Sequence, residues 1–519
     1  MEQVIRAIRS PGDRRVVEYA AATQVVRNVE KGEEDKVIGF STRNIPIYNF
    51  TNKTKLLDRW LDKIVEFSGS EFMFFTIVTS LLIWAFLGIP FDLSNTWQVT
   101  ISDAQAIVNM VFDAFIMRQQ FNSHDSLMKV SACLRSRTRS NQRMLRKLMA
   151  SGKYEKINGT QFYELQQTEF SFQLPTENWF GRVSTCVSNI MGHIITVAAF
   201  WAGIFIWIGF GKYCNWSNTW QLYINSATSA LMVFLLAFLA NIRERHQKYT
   251  TKCMESIYAV DSTLELRLRL VTDDVVENES VSIPIPNRTR IQRGIDYYAD
   301  LVGTLIGIAI LILVLAVWVA IGPAFRFNAN WWLLIGTYAG LVGLNDGFVL
   351  RNVCNVLARY EDAEFIRVTY DDIDMLATIG VQLNEECVAD NSLTVRMSIA
   401  MGDISSHELT VVLGVATIIG LIIGASATGW SVTGQLLCNV PPSIIESFFT
   451  MILITGHNIW EAKRRVDLHN IYLRRLKLIS YVNTLDKLKE ESAEIVNAVV
   501  SQVVLSQANF NEVPEVDLS

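Results

Sequence analysis

Ser94-Asn95-Thr96-Trp97-Gln98 recurs as Ser217-Asn218-Thr219-Trp220-Gln221, and each copy lies between two long apolar runs. A degraded third copy, Asn328-Ala329-Asn330-Trp331, has the same setting. Ser70, His193 and Thr304 each stand 27 residues ahead of the tryptophan of their own copy. Self-similarity at matched positions marks a repeated supersecondary unit. The unit is a hairpin of two apolar helices joined by a short polar turn. Ser, Asn and Thr ahead of a helix offer acceptors to its first unpaired N–H groups. The indole that follows prefers the membrane–water boundary.

Half of the 519 residues are apolar and only 19% are charged. The apolar residues gather into eight blocks, roughly 72–91, 97–117, 187–211, 220–240, 299–322, 331–350, 409–428 and 441–460. Each approaches the ~20 residues a helix needs to cross ~30 Å of hydrocarbon. The expected fold is an all-α polytopic membrane protein with about eight transmembrane helices, arranged as four tandem two-helix repeats with long cytosolic helical connections. Of 46 Lys and Arg, only Lys212 and Arg326 fall in the short hairpin turns. The positive-inside rule then places both termini and every long connection in the cytosol. Sequons at Asn52, Asn158, Asn278 and Asn287 fall on that side, so none is expected to be glycosylated. The N-terminus is charged through about residue 70, unlike a cleavable signal peptide.

The chain divides into a cytosolic N-terminal segment (1–70) and three units of hairpin plus cytosolic connection (71–185, 186–298 and 299–405). A fourth hairpin (406–460) and a C-terminal cytosolic helix and tail (461–519) follow. Residues 273–290, with Pro284 and Pro286, read as a loop. In the tail, Leu476, Ile479, Val482, Leu485 and Leu488 keep an apolar stripe suited to packing beneath the membrane. Hairpins that all point the same way relate by an axis along the membrane normal, so a ring of four is expected. Ordered one to four, odd copies would stand opposite each other.

Several function classes drop out. No GxxxxGK[ST] loop or other phosphate cradle suggests ATP coupling, no nucleophile–base pair suggests an enzyme, and no cofactor is indicated. No basic tract suggests nucleic acid. The seven cysteines lack CxxC or zinc-ligand spacing. Cys214 and Cys438 fall in outward turns, where a disulfide is open if their Cα atoms approach closely.

The second helix of each hairpin carries polar atoms inside the span: Asp103, Gln105, Asn109 and Asp113; Asn225, Ser226, Thr228 and Ser229; Thr337, Asn345 and Asp346; Ser443, Glu446, Ser447 and Thr450. Such groups face a bundle interior or a water-filled cavity, so the four second helices are expected to line a central path. Gly336, Gly340, Gly343 and Gly347 make a small-residue stripe for close helix contact.

The stretch Trp216 to Arg245, with Trp-Ser-Asn-Thr-Trp-Gln-Leu-Tyr-Ile-Asn leading an apolar helix that ends Ala240-Asn241-Ile242-Arg243, resembles the low-affinity iron permease family. Phe67-Ser68-Gly69-Ser70 and Met117-Arg118-Gln119-Gln120-Phe121-Asn122 are similar to its fungal members. The resemblance runs from about residue 56 to about 480. It implies low-affinity uptake of Fe²⁺, with other divalent metals open as further substrates, at the plasma membrane of a fungal-type cell. The partners are then the divalent ion as substrate and the lipid bilayer; a homo-oligomer is compatible.

Eight residues are candidates for contact with the metal. Asp113-Ala-Phe-Ile-Met-Arg118 matches Asp346-Gly-Phe-Val-Leu-Arg351, and carboxylates suit a divalent cation in quick transit. Asp113 also fits a structural pair with a neighbouring Arg. Asn109 shares its face, four residues away. Asp103, about 9 Å below Trp97 at ~1.5 Å per residue, suits an outer vestibule or a carboxylate reaching the headgroups. Glu446 and His457 share one stripe of the last helix, although a histidine there also fits a C-terminal cap. His193 and His407 occupy matched positions at the start of first helices and read equally as single interfacial histidines. Transport would run down the membrane potential without ATP. The rival readings are a membrane scaffold or receptor working through its cytosolic helices, and an anion channel.

Overall fold

The computed structural model describes residues 16–24, 26–31, 35–40, 53, 55–92, 94–150, 178–327, 329–381 and 393–486. The same succession of elements occurs four times. A 13-residue helix comes first: α1 (Leu56–Ser68), α4 (Trp179–Met191), α7 (Arg290–Val302) and α10 (Leu393–Ser405). A two-residue break leads into an apolar helix: α2 (Glu71–Leu87), α5 (Ile194–Phe210), α8 (Leu305–Ile321) and α11 (Glu408–Ala427). After a turn comes a very long helix: α3 (Asn95–Ala150), α6 (Asn218–Thr272), α9 (Ala329–Thr378) and α13 (Val440–Asp486). The fourth turn holds a short extra helix, α12 (Val432–Leu437). Strand β1 (Val17–Tyr19) pairs antiparallel with β4 (Val281–Ile283), and β2 (Val26–Lys31) with β3 (Asp35–Phe40).

Among the described residues, α3, α6, α11 and α13 are long and apolar enough to cross a membrane, and three bent pairs pass the same test jointly, which gives up to seven of the eight expected spans; α9, which carries the expected span 331–350 with its Asn345 and Asp346, is not among them. The bends between α1 and α2, α4 and α5, and α7 and α8 are 55°, 52° and 65°. The expected spans 187–211 and 299–322 therefore each contain a bend. Their first residues belong to α4 and α7, where polar residues recur on one face, and the apolar helix starts only after Gly192 or Gly303. Residues 273–290 are not all loop, because Val281 to Ile283 complete a two-stranded ladder with β1. The boundary at 460/461 lies inside α13.

The long helices form a ring in which α3 packs on α6 and α9, and α13 packs on α6 and α9. Numbered by hairpin, the ring runs 1-2-4-3. The expectation that odd copies stand opposite is thus overturned: α3 and α9 are neighbours, and α3 faces α13 across the axis. Each apolar helix leans on the long helix of the next hairpin in that order. Phe74 of α2 meets Phe234 and Phe238 of α6, Trp201 of α5 meets Phe448 of α13, Gly414 of α11 abuts Phe348 of α9, and Leu311 and Leu315 of α8 pack by Ala106 and Met110 of α3. The bends are welded to the same neighbours. Carbonyls that a broken helix would leave unpaired accept from side chains there: Gly69 from Asn241, Gly192 from Thr455 and Ser406 from Asn352.

Burial is inverted relative to a water-soluble bundle. The apolar helices present Phe72, Phe86, Ile195, Phe205, Ile312 and Leu413 outward, while the ring buries Asn109, Asp113, Asn225, Ser229, Asp346, Glu446 and Ser447. That is the distribution expected when the solvent is lipid. Beyond the apolar zone the long helices continue as a bundle with an ordinary hydrophobic core that includes Leu134, Leu145, Leu264, Val368 and Ile479.

The first three hairpin turns are clasped by tryptophan pairs. Trp97 stacks on Trp84 at 4.3 Å, Trp220 on Trp207 at 3.9 Å and Trp331 on Trp318 at 4.3 Å, always 13 residues apart. In the first and third hairpins each indole N–H also donates to the other tryptophan's carbonyl. Cys214 and Cys438 are free thiols, and Cys438 is buried. Among the sequons, Asn278 is buried and donates to Glu265, while Asn52 and Asn158 lie outside the described residues.

Candidate functional site

Helical spacing of four carries the polar residues of α3 down one stripe facing the ring axis. Near the turns, Asn225 donates to Ser102 at 2.9 Å and Ser229 to Gln105 at 3.3 Å, while Thr228 meets Ser443 at 3.0 Å. One turn lower, Asn109 Nδ2 of α3 donates to Glu446 Oε2 of α13 at 2.7 Å, directly across the axis. Glu446 is 1% exposed and Asn109 fully buried. Their other oxygens, Glu446 Oε1 and Asn109 Oδ1, have no hydrogen-bond partner, and neither has Asn439 Oδ1. Buried polar atoms are nearly always paired, so a column of orphaned acceptors demands a cause.

Asp113 and Asp346 follow, both buried, each within the other's electrostatic field and both within that of Glu446. Tyr298 donates to Asp346 Oδ1 at 2.6 Å. The arginines that sequence offered as partners bind elsewhere. Arg118 pairs with Asp58 and Asp62 of α1, and Arg351 donates to Ser405 of α10. Among the described residues no cation pairs with Asp113, Asp346 or Glu446, so the ring holds three buried carboxyl groups whose compensation is limited to the hydrogen bonds from Tyr298 and Asn109. They are not a tight chelate, since no three His, Cys, Asp or Glu among the described residues converge closely enough to hold a metal ion. Hard oxygen donors spread along an axis suit passage of a divalent cation better than storage.

Glycine makes room for this. A Cβ on Gly343 would come within 2.5 Å of Glu446 Oε1, and one on Gly340 within 2.7 Å of Cys438 O. The glycine stripe of α9 thus lets α13 approach closely.

The remaining candidates lie apart. Asp103 is buried on the side of Ala106 and Met110, along the α3–α9 seam rather than the Asn109 stripe. His193 and His407 are exposed N-caps, whose Nδ1 atoms accept the N–H of Ile195 and Leu409 at 3.2 Å. His457 Nε2 meets Nδ1 of His246 at 2.9 Å. Sequence reasoning missed Tyr298 and His246. Nothing local marks either, because the partner lies 48 residues away in one case and 211 in the other.

The low-affinity iron permease family model matches residues 180–277 and 394–516. A low-affinity iron/zinc ion transport protein of Schizosaccharomyces pombe is 35% identical over 492 residues, covering 91% of this chain and 84% of the relative. A low-affinity Fe(2+) transport protein of Saccharomyces cerevisiae is 34% identical over 468 residues, covering 83% and 84%. No solved structure matches. On identity sustained over most of both chains, this multi-pass membrane protein belongs to the low-affinity iron permease family.

Proposed function

We propose that the protein carries Fe²⁺ into the cell with low affinity, along the axis of the four-helix ring. The observation that carries this reading is the buried Asn109–Glu446 bridge with its orphaned oxygens, set beside Asp113 and Asp346. The ion enters between the hairpin turns, exchanges part of its water for these oxygens and leaves at the opposite end. Zn²⁺ is a second cargo, in keeping with the name of the Schizosaccharomyces pombe relative. The chain crosses the plasma membrane eight times as four tandem hairpins, with both termini in the cytosol and Asp103 near the outer mouth. Inward movement is driven by the membrane potential, about 4.6 kcal/mol per 100 mV for a divalent ion. Spread, weakly chelating oxygens release the ion as readily as they take it up, which is the physical content of low affinity.

The test is radiolabelled Fe²⁺ uptake by cells expressing the wild type, Asp113→Asn and Glu446→Gln at matched protein levels. Each substitution is expected to lower the maximal rate at least tenfold. Wild-type rates in both would remove the path from the ring axis. Absence of uptake above background in the wild type would favour the scaffold reading.

A further inference from the structure

Beyond the carboxyl groups the ring encloses a second polar space that passage of a cation does not explain. Its volume is about 110 Å³, and all four long helices line it. That is room for about seven water-sized positions at ~15 Å³ each. Arg243, Arg351 and Arg464 all reach it. Arg464 is paired with Glu361, but the other two have no such partner. Arg243 donates to Gln120 and lies 3.5 Å from Cys354 Sγ, while Arg351 donates to Ser405 Oγ at 3.2 Å. Among the described residues no carboxylate lies within ion-pair distance of either, although they are only 8% and 4% exposed. Asp403 acts on Arg351 only from beyond that distance, and a buried guanidinium without an ion-pair partner costs several kcal/mol.

His246, 4% exposed, lines the same space. Its Nδ1 is taken by His457, and its Nε2 has no partner. A free ring nitrogen offers either a lone pair to a metal or an N–H to an anion. The surrounding charges decide between them: Glu361 and Glu461 also line the space but pair with Arg464 and Arg465, which leaves Arg243 and Arg351 without an ion pair to repel a cation here. Burial, and then Arg465 and Arg245, push His246 down to about 3, and the neutral ring presents an Nε2–H when His457 donates to its Nδ1.

We propose that this cavity binds a small tetrahedral oxyanion of the phosphate class, held between the guanidiniums of Arg243 and Arg351 with the Nε2–H of His246 as a third donor. Planar guanidinium forks match oxyanion geometry, and charge-assisted bonds to them are the strong ones. The ligand is a free ion rather than a lipid headgroup, because the lining comes from all four ring helices rather than from a lipid-facing surface. Its consequence rests on the function proposed above. Without the anion, two positive charges stand in the way of a cation leaving the carboxyl groups; with it, they are neutralised.

The test uses full-length protein purified in detergent, with inorganic phosphate as the probe and gluconate holding ionic strength constant. Thermal unfolding, followed by tryptophan fluorescence, should move upward saturably with phosphate. The apparent dissociation constant should rise at least tenfold in Arg243→Gln and in Arg351→Gln. Arg243→Lys should retain part of the response, which separates loss of charge from loss of fold. A phosphate shift no larger than that of gluconate, or one that survives both glutamine substitutions, overturns the site. A response to short-chain phosphatidic acid without one to inorganic phosphate overturns the free-ion assignment. Neither readout involves iron, so this site stands or fails separately from the transport reading.

Discussion

Glu446 is bound through one oxygen only, and the glycine facing the other explains why that oxygen remains available. Any side chain at 343 would press on Oε1, either turning the carboxyl group away from Asn109 or prising α9 from α13. Gly343→Ala is therefore expected to lower the maximal rate of Fe²⁺ uptake about tenfold, roughly 1.4 kcal/mol in barrier terms. Gly347→Ala, whose added carbon would rest 4.0 Å from Phe449 in ordinary contact, should leave uptake near wild type. Equal losses in both would make the stripe a packing device alone. The capping histidines separate two readings in the same way. His193→Ser supplies another good N-cap, so uptake should be unchanged and stability should move by no more than ~0.5 kcal/mol, whereas His193→Ala should cost ~1 kcal/mol. A loss of uptake in His193→Ser without loss of protein would restore the metal-ligand reading of this position.

At the scale of elements, part of the fold is legible in the sequence and part is not. Asn109, Asp113, Asp346 and Glu446 stood out because a polar residue in an apolar run is costly unless it faces an interior. The ring order was not legible, since chain order says nothing about which hairpins become neighbours. That is set by fits such as Gly69 against Ala240 and Glu244, or Gly192 against Thr455, between residues more than 150 positions apart. The start of the apolar helices was blurred because α4 and α7 themselves carry enough apolar residues to extend the runs. In the turns, sequence flagged Trp97, Trp220 and Trp331 but not their stacking partners, which sit inside unbroken hydrophobic stretches where an indole looks like one more apolar residue. The clasp predicts its own energetics. An aromatic pair is worth ~0.5–1.5 kcal/mol beyond its buried area, and Trp84→Leu also removes one of two reciprocal indole–carbonyl bonds. Detergent-purified Trp84→Leu should unfold several degrees lower than wild type with the apparent KM for Fe²⁺ unchanged. A shifted KM at wild-type unfolding temperature would give the turn a role in recognition.

At the scale of the whole molecule, the bundle beyond the cavity is closed by charge as well as by apolar packing. Arg475 of α13 is fully buried and bonds Asp261 of α6 at 2.5 Å, Asp372 of α9 at 2.7 Å and Thr138 of α3 at 2.7 Å, so one guanidinium touches each of the other long helices. Ion pairs of this kind fix which helices assemble more than they add net stability, because desolvation offsets most of the attraction. Glu361, on the cavity wall, provides a pH-dependent test. Burial alone would push its carboxyl group up, but Arg464 and His124 outweigh that and hold it below the usual range. A carboxyl depressed in the folded state contributes stability that is complete above its unfolded value near 4.5 and fades as pH falls through the folded value. Glu361→Gln removes the carboxylate that pairs with the half-buried Arg464 and with His124, a change expected to cost ~1–3 kcal/mol at pH 7. The gap in unfolding temperature between wild type and variant should therefore be widest near neutrality and narrow below about pH 4.5. A gap that stays constant across that window would mean that Glu361 is held by packing, and that the charges around the cavity are less coupled than their placement implies.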